Sequence, residues 1–118
     1  MSKHEHNETM KKLNEVKDTM QYLGKHFPEI MQSFVAFFQG VDKPGALDTK
    51  TKKLISLSIS IINQCSWCIT YYANSALEAG ATKEEILEAS MVALKMGGGP
   101  SLMHIRWVLD ALKDLGKL

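Results

Sequence analysis

Arginine is almost missing from this chain. Arg106 is the only one, and 14 basic residues stand against 13 acidic ones for a net charge of +1. So weak a field gives little attraction for a phosphate backbone, and no nucleic-acid partner is expected. Long hydrophobic runs are missing too. The longest, Leu54 to Ile62, is broken by Ser56, Ser58 and Ser60, and it falls far short of the roughly 20 residues that cross a bilayer. No membrane-spanning segment is expected. The stretch Met1-Ser2-Lys3-His4-Glu5-His6-Asn7-Glu8 is polar and lacks the apolar centre of a secretory signal. A cytoplasmic location and a flexible lead over residues 1–8 are therefore expected. Only two cysteines occur, Cys65 and Cys68, which excludes a disulfide scaffold and, in a reducing compartment, favours catalytic or redox chemistry. No second pair and no His-x₃₋₅-His cluster completes a four-ligand zinc site, so no metal is expected.

What is present suits one domain over residues 1–118, since 45% of the residues are hydrophobic and there is no internal repeat, low-complexity tract or dividing linker. Gly, Pro and capping residues cut it into about six helical segments. Met10, Leu13, Val16, Met20 and Leu23 recur at steps of three or four and predict an amphipathic helix stopping at Gly24. Pro28 opens a second helix whose apolar face, including Phe34, Val35, Phe37 and Phe38, predicts heavy burial, in part against another subunit, before a stop at Gly40. Asp48 caps a third, in which Ile55, Leu57, Ile59 and Ile61 alternate with serines as a half-buried strand would. No second strand-like run exists to pair with it, so the helix is preferred. The fourth opens at the cysteines and ends at Gly80, which suits a left-handed cap. Thr82-Lys83-Glu84-Glu85 is a capping box for the fifth. Gly97-Gly98-Gly99-Pro100 reads as a flexible connection, not a phosphate cradle. Leu102, Ile105, Leu109 and Leu112 mark a sixth helix that stops at Gly116. The expected fold is an all-α bundle.

The pair Cys65-Ser66-Trp67-Cys68 carries the chemistry. A thiol attacks as its thiolate, which the free N–H groups and dipole at a helix N-terminus favour. The two-residue spacer lets one sulfur attack a peroxide or disulfide while the other resolves the product. The alternative is two small buried apolar side chains, and the redox reading is preferred to it.

Three segments together resemble the alkylhydroperoxidase D-like (AhpD-like) and carboxymuconolactone decarboxylase family: Leu47-Asp48-Thr49-Lys50-Thr51-Lys52-Lys53-Leu54-Ile55, Cys65-Ser66-Trp67-Cys68-Ile69-Thr70-Tyr71-Tyr72, and Glu78-Ala79-Gly80-Ala81-Thr82-Lys83-Glu84-Glu85-Ile86. The resemblance implies an all-helical fold and a homo-oligomer, commonly a trimer or hexamer. It also implies reduction of a small peroxide by the redox-active disulfide, with no bound cofactor and with an external lipoyl-type or thioredoxin-like thiol reductant. By it, Cys68 corresponds to the thiol that meets peroxide and Cys65 to its partner, whereas general Cys-x-x-Cys logic exposes the first cysteine more. The family's proton relay is altered: Tyr72 stands where active members carry a His, Lys53 where they carry a Glu, and Trp67 where some carry another His. A Tyr of ordinary pKa, about 10, is a poor general base. Tyr72 and Lys53 are kept as supporting candidates that could donate a hydrogen bond or stabilise a thiolate, against a first reading as a core aromatic and a solvated lysine.

His104 shares a helix face with Val108, Ala111 and Leu115 and is read first as a packing or interface residue, second as a supporting site residue. His4 and His6 are read as solvated. Trp67 and Trp107 are read as core or subunit-contact residues. Two further functions compete with the thiol oxidoreductase. One is a non-redox enzyme like carboxymuconolactone decarboxylase, which needs an anion-binding arginine in its pocket. The other is an oligomeric binding protein with weakened catalysis.

Overall fold

The computed structural model describes residues 7–118, and His4 and His6 lie outside that range. Six helices follow one another: α1 (Glu8–His26), α2 (Pro28–Asp42), α3 (Thr49–Ile62), α4 (Ser66–Glu78), α5 (Lys83–Gly97) and α6 (Gly99–Asp114). Helix α1 begins inside the lead that the sequence marked as flexible, because the Asn7 side chain accepts the Met10 N–H at 2.8 Å and caps it.

Two helix ends depart from the glycine signals for one physical reason. Neither Gly24 nor Gly40 stops its helix; α1 runs on to His26 and α2 to Asp42. The breaks fall at Phe27 and Lys43, the residues before Pro28 and Pro44, where the proline ring disfavours the helical backbone. Lys43 is accordingly extended, at φ −62° and ψ 145°. The end of α2 is then tied to α3. Lys52 Nζ donates to the carbonyls of Val41 and Lys43 at 2.8 and 2.7 Å, and Thr49 Oγ1 donates to that of Asp42 at 2.7 Å. These bonds satisfy carbonyls that the helix end leaves without partners.

The strand-like alternation in α3 is helical after all. Ser56 Oγ and Ser60 Oγ donate back to the carbonyls four residues earlier, at 2.9 and 2.7 Å, while Ser58 Oγ donates across to the Ala89 carbonyl of α5 at 2.8 Å. The serines therefore cost no unpaired hydroxyl, and one of them joins two helices. Leu57 and Ile61 point into the core with Ile69, Ala73 and Ala76 of α4, Ile86 and Ala93 of α5, and Val108, Ala111 and Leu112 of α6, all 2% exposed or less. Burial of each large aliphatic side chain contributes about 1.5–3 kcal/mol, and the alanines let the helix axes approach.

Helices α3 to α6 form this core, and the α1–α2 hairpin lies outside it with α1 against α4 and α6. The inner face of α1 is not its apolar stripe alone. Thr9 and Lys12 are its buried residues, and the Lys12 ammonium sits 4.0 Å from the centre of the Trp107 ring and 3.3 Å from Glu8 Oε2. The lysine stem packs while its charge meets the ring face. Helix α2 has no residue buried by its own chain, contrary to the share of burial expected within the chain. Ile30, Phe34, Phe37, Phe38 and Val41 stay exposed because α2 packs on α1 and only slightly on α3.

The glycine-rich connection between α5 and α6 is tighter than its sequence suggests. Gly98 alone leaves the helices, at φ +69°, a backbone conformation that side chains with a Cβ rarely adopt. Gly97 is fixed by space: a Cβ there would collide with the Ser101 side chain and lie 2.6 Å from Ile62 Cδ1. Among the described residues no helix is long and apolar enough to cross a membrane.

Candidate functional site: a disulfide beside an apolar cleft

The turn between α3 and α4 sets the position of the cysteines. Gln64 takes a left-handed backbone, φ +58°, and the Cys65 N–H donates to the Ser60 carbonyl at 3.3 Å. The chain thereby reverses within three residues and delivers Cys65 as the N-cap of α4. There its Sγ accepts the Cys68 N–H at 3.2 Å, so Cys65 sits among the free N–H groups at the positive end of the helix. Cys65 and Cys68 are joined as a disulfide, with Cα atoms 5.3 Å apart. Both are half-buried.

Cys68, and not Cys65, lines a cleft of about 800 Å³ between α1, α2 and α4. Its walls are Val16 and Met20 from α1, Phe34, Val35 and Phe38 from α2, and Trp67, Tyr71 and Tyr72 from α4, with Lys53 reaching in from α3. Most of the lining surface is apolar, but Glu15, Asp18 and Thr19 of α1, Gln39 and Asp42 of α2 and Lys53 also border the cleft. Lys53 Nζ lies 2.8 Å from Asp42 Oδ2 and 5.7 Å from the centre of the Tyr72 ring. Burial alone would lower the Lys53 ammonium, but the hydrogen bond and charge of Asp42 outweigh it and hold the group above its usual range. Burial raises the Tyr72 phenol, partly offset by the Lys53 charge. Across the cleft, the Trp67 indole Nε1 donates to Glu15 Oε1 of α1 at 3.0 Å, a bond between residues 52 apart in sequence.

The structure thus gathers Cys68, Tyr72 and Lys53 about one space and leaves His104 elsewhere. His104 does not line the cleft, and its Nδ1 donates to the Pro100 carbonyl at 2.8 Å within α6. Arg106 is likewise absent from the cleft and pairs with Asp110 at 3.1 Å. Trp67 is no core residue; it is 49% exposed and forms part of the cleft rim. Glu15 and Asp42 belong to the site without having been singled out in the sequence. Glu15 looks there like any charge on the solvated face of α1, and Asp42 like a loop residue before Lys43-Pro44. Among the described residues, no three His, Cys, Asp or Glu side chains converge on a point that could hold a metal.

Residues 28–111, most of the chain and all of its core but Leu112, match the carboxymuconolactone decarboxylase family. The chain belongs to that family, the AhpD-like family. A carboxymuconolactone decarboxylase family protein from Legionella pneumophila, solved in its apo form, superposes with a TM-score of 0.87 at 35% identity, covering 92% of this chain and 97% of that one. A second family structure, from Thermotoga maritima, gives 0.78 at 30% identity with 90% of each chain covered. Protein 4 in the cox locus of Paracoccus denitrificans, itself uncharacterized, is 37% identical over 73% of this chain and 78% of its own length. Alkyl hydroperoxide reductase AhpD of Corynebacterium aurimucosum is 39% identical over 72 residues, 61% of this chain but only 39% of that protein. The family and the six-helix fold expected from the sequence are therefore both present.

Proposed function

We propose that the protein is a dithiol oxidoreductase that reduces an organic peroxide or disulfide at Cys68, with Cys65 as the resolving thiol. One observation carries this reading: a bonded Cys65–Cys68 pair at the start of α4, with Cys68 lining a largely apolar cleft. The division of labour follows from position. Substrate in the cleft meets Cys68, whose sulfur is oxidised to a sulfenic acid, and Cys65 then displaces water to close the disulfide. In the reducing direction, an external dithiol of lipoyl or thioredoxin-like type attacks Cys68. The leaving Cys65 thiolate is held by the Cys68 N–H and the helix dipole, which speeds its departure. The resemblance to AhpD, an alkyl hydroperoxide reductase, and the antioxidative response raised for the Thermotoga relative support the same chemistry.

The non-redox decarboxylase reading is weaker here, because the one arginine able to hold an anion is bonded to Asp110 outside the cleft. Self-association belongs to the proposal as well. Phe37, 67% exposed, stands with Ile30, Phe34 and Phe38 on a helix that its own chain does not bury, and so large an apolar face is suited to a second copy of the chain. Light scattering should give a mass several times the 13.2 kDa of one chain, and Phe37→Asp should lower it.

The decisive experiment is turnover of an organic hydroperoxide with a dithiol reductant. The Cys65→Ser/Cys68→Ser double variant should keep its far-ultraviolet helix signal and lose all turnover. Equal turnover in that variant would end the dithiol reading.

A further inference from the structure

Resting on the dithiol reading above, we propose that Glu15 of α1 is the group that carries the proton in the Cys68 cleft. A thiol reacts as its thiolate, and the alkoxide released when a peroxide O–O bond breaks needs a proton. Some group beside Cys68 must take the first proton and supply the second. Asp42 and Lys53 are committed to each other at 2.8 Å, with the ammonium held above its ordinary range. Burial raises the Tyr72 phenol above its ordinary value of about 10, so it keeps its proton at neutral pH. Two carboxylates of α1, Glu15 and Asp18, remain in the cleft wall, and Glu15 is the one bonded to the cysteine motif: its Oε1 accepts from the indole of Trp67, the residue before Cys68, at 3.0 Å. The indole engages the carboxylate through Oε1, and Oε2 has no hydrogen-bond partner among the described residues.

The cycle balances. The Glu15 carboxylate takes the Cys68 thiol proton, and the thiolate pair attacks the terminal peroxide oxygen, forming the S–O bond as the O–O bond breaks. The alkoxide takes the proton back from Glu15 and leaves as the alcohol. Cys65 attacks the Cys68 sulfenic acid, the S–S bond forms and water departs with the Cys65 proton. The external dithiol then returns two electrons and two protons to the pair. A carboxylate from α1 thus does the work for which the helices carrying Lys53 and Tyr72 offer no suitable base.

The test uses the full chain, cumene hydroperoxide as the probe peroxide and dihydrolipoamide as reductant, and compares Glu15→Gln, Trp67→Phe and wild type across pH. Gln keeps a carbonyl for the indole N–H, so Trp67 stays oriented while the proton carrier is gone. Glu15→Gln should lower kcat/KM by about 100-fold, the scale of a lost general acid–base group. It should also move the acid limb of the pH profile to higher pH, since the thiol must then ionise unassisted, without moving the dithiol reduction potential. Trp67→Phe should cost less and leave that limb in place. Glu15→Gln within twofold of wild type with the same profile would overturn the assignment, as would Trp67→Phe reproducing both the loss and the displaced limb. Those results leave the dithiol reading standing, whereas a wild type without cysteine-dependent turnover removes both.

Discussion

Replacing Lys53 by Met should isolate one half of the ion pair that joins α2 to α3. Lys53 Nζ and Asp42 Oδ2 are 2.8 Å apart, and the two side chains are only 17% and 23% exposed. An exposed pair of this kind is worth about 0.2–1 kcal/mol, while stranding a buried charge costs about 3–5 kcal/mol. At roughly one-fifth exposure the variant should lose about 1.5–2.5 kcal/mol, mostly through the carboxylate left in the cleft wall. The ammonium lies 5.7 Å from the Tyr72 ring centre, near the limit of useful attraction, so its loss there adds at most about 0.5 kcal/mol. A chain of this size should then melt about 6–10 °C lower.

The pH dependence carries its own sign. Asp42 holds the Lys53 ammonium above its ordinary value, so the folded state keeps that proton more tightly than the unfolded chain. The pair's stabilisation is fully present below the unfolded value of about 10.4 and disappears as the pH rises through the raised folded value. Urea unfolding followed by circular dichroism at pH 7 and above pH 10 measures both claims, and the gap between wild type and Lys53→Met should narrow at the alkaline end. The double variant Asp42→Asn/Lys53→Met should recover most of the loss, since no charge is then stranded. A deficit under about 0.5 kcal/mol, or a double variant no more stable than the single one, would refute the assignment of this pair as a structural tie.

Other substitutions test the fold around the cleft. Thr82→Ala removes the acceptor of the Glu85 N–H, 3.1 Å away, and one half of the α5 capping box, for an expected loss of about 1 kcal/mol in denaturant midpoint measurements. Gly97→Ala drives a Cβ against Ser101 and Ile62 and should cost about 1–3 kcal/mol by overpacking, with a lowered melting temperature despite the better helix propensity of alanine. Gln64→Gly relieves a left-handed backbone at φ +58°. It should stabilise the fold by about 0.5 kcal/mol once the added freedom of the unfolded chain is subtracted, a gain that thermal unfolding at pH 7 can resolve.

Most of the fold was readable because its signals are local. Thr82 and Glu85 lie three residues apart and satisfy each other whatever the rest of the chain does, and Asp48 caps α3 in the same way. The α3 serines show the limit of such signals. Alternation of Ser with Ile and Leu is a strand pattern, and only the lack of a partner strand weighed against it. Its helical resolution needed the i−4 carbonyls and Ala89, which are contacts and not patterns. The helix ends at Phe27 and Lys43 were readable in principle, since proline restricts the residue before it, but glycine was given the greater weight. The apolar face of α2 shows a different limit. A wide apolar face states that something covers the helix, not that the same chain does, and here the chain leaves it open.

The cleft divides along the same line. Cys65 and Cys68 announce themselves because two sulfurs three residues apart at a helix start are a local arrangement with few other uses. Lys53 and Tyr72 came forward only through family resemblance, which fixed their positions but gave no account of what they would touch. Glu15 and Asp42 lie on helices that meet α4 and α3 only after folding, and nothing in their neighbours distinguishes them from solvated charges. A carboxylate's role in this site is set by the indole or ammonium facing it across the cleft. On the Glu15 assignment, the departure from the family's relay residues is offset by a proton carrier from an element remote in sequence, and the Glu15→Gln comparison decides it. Only the folded arrangement of α1 against α4 reveals where the carboxylate stands.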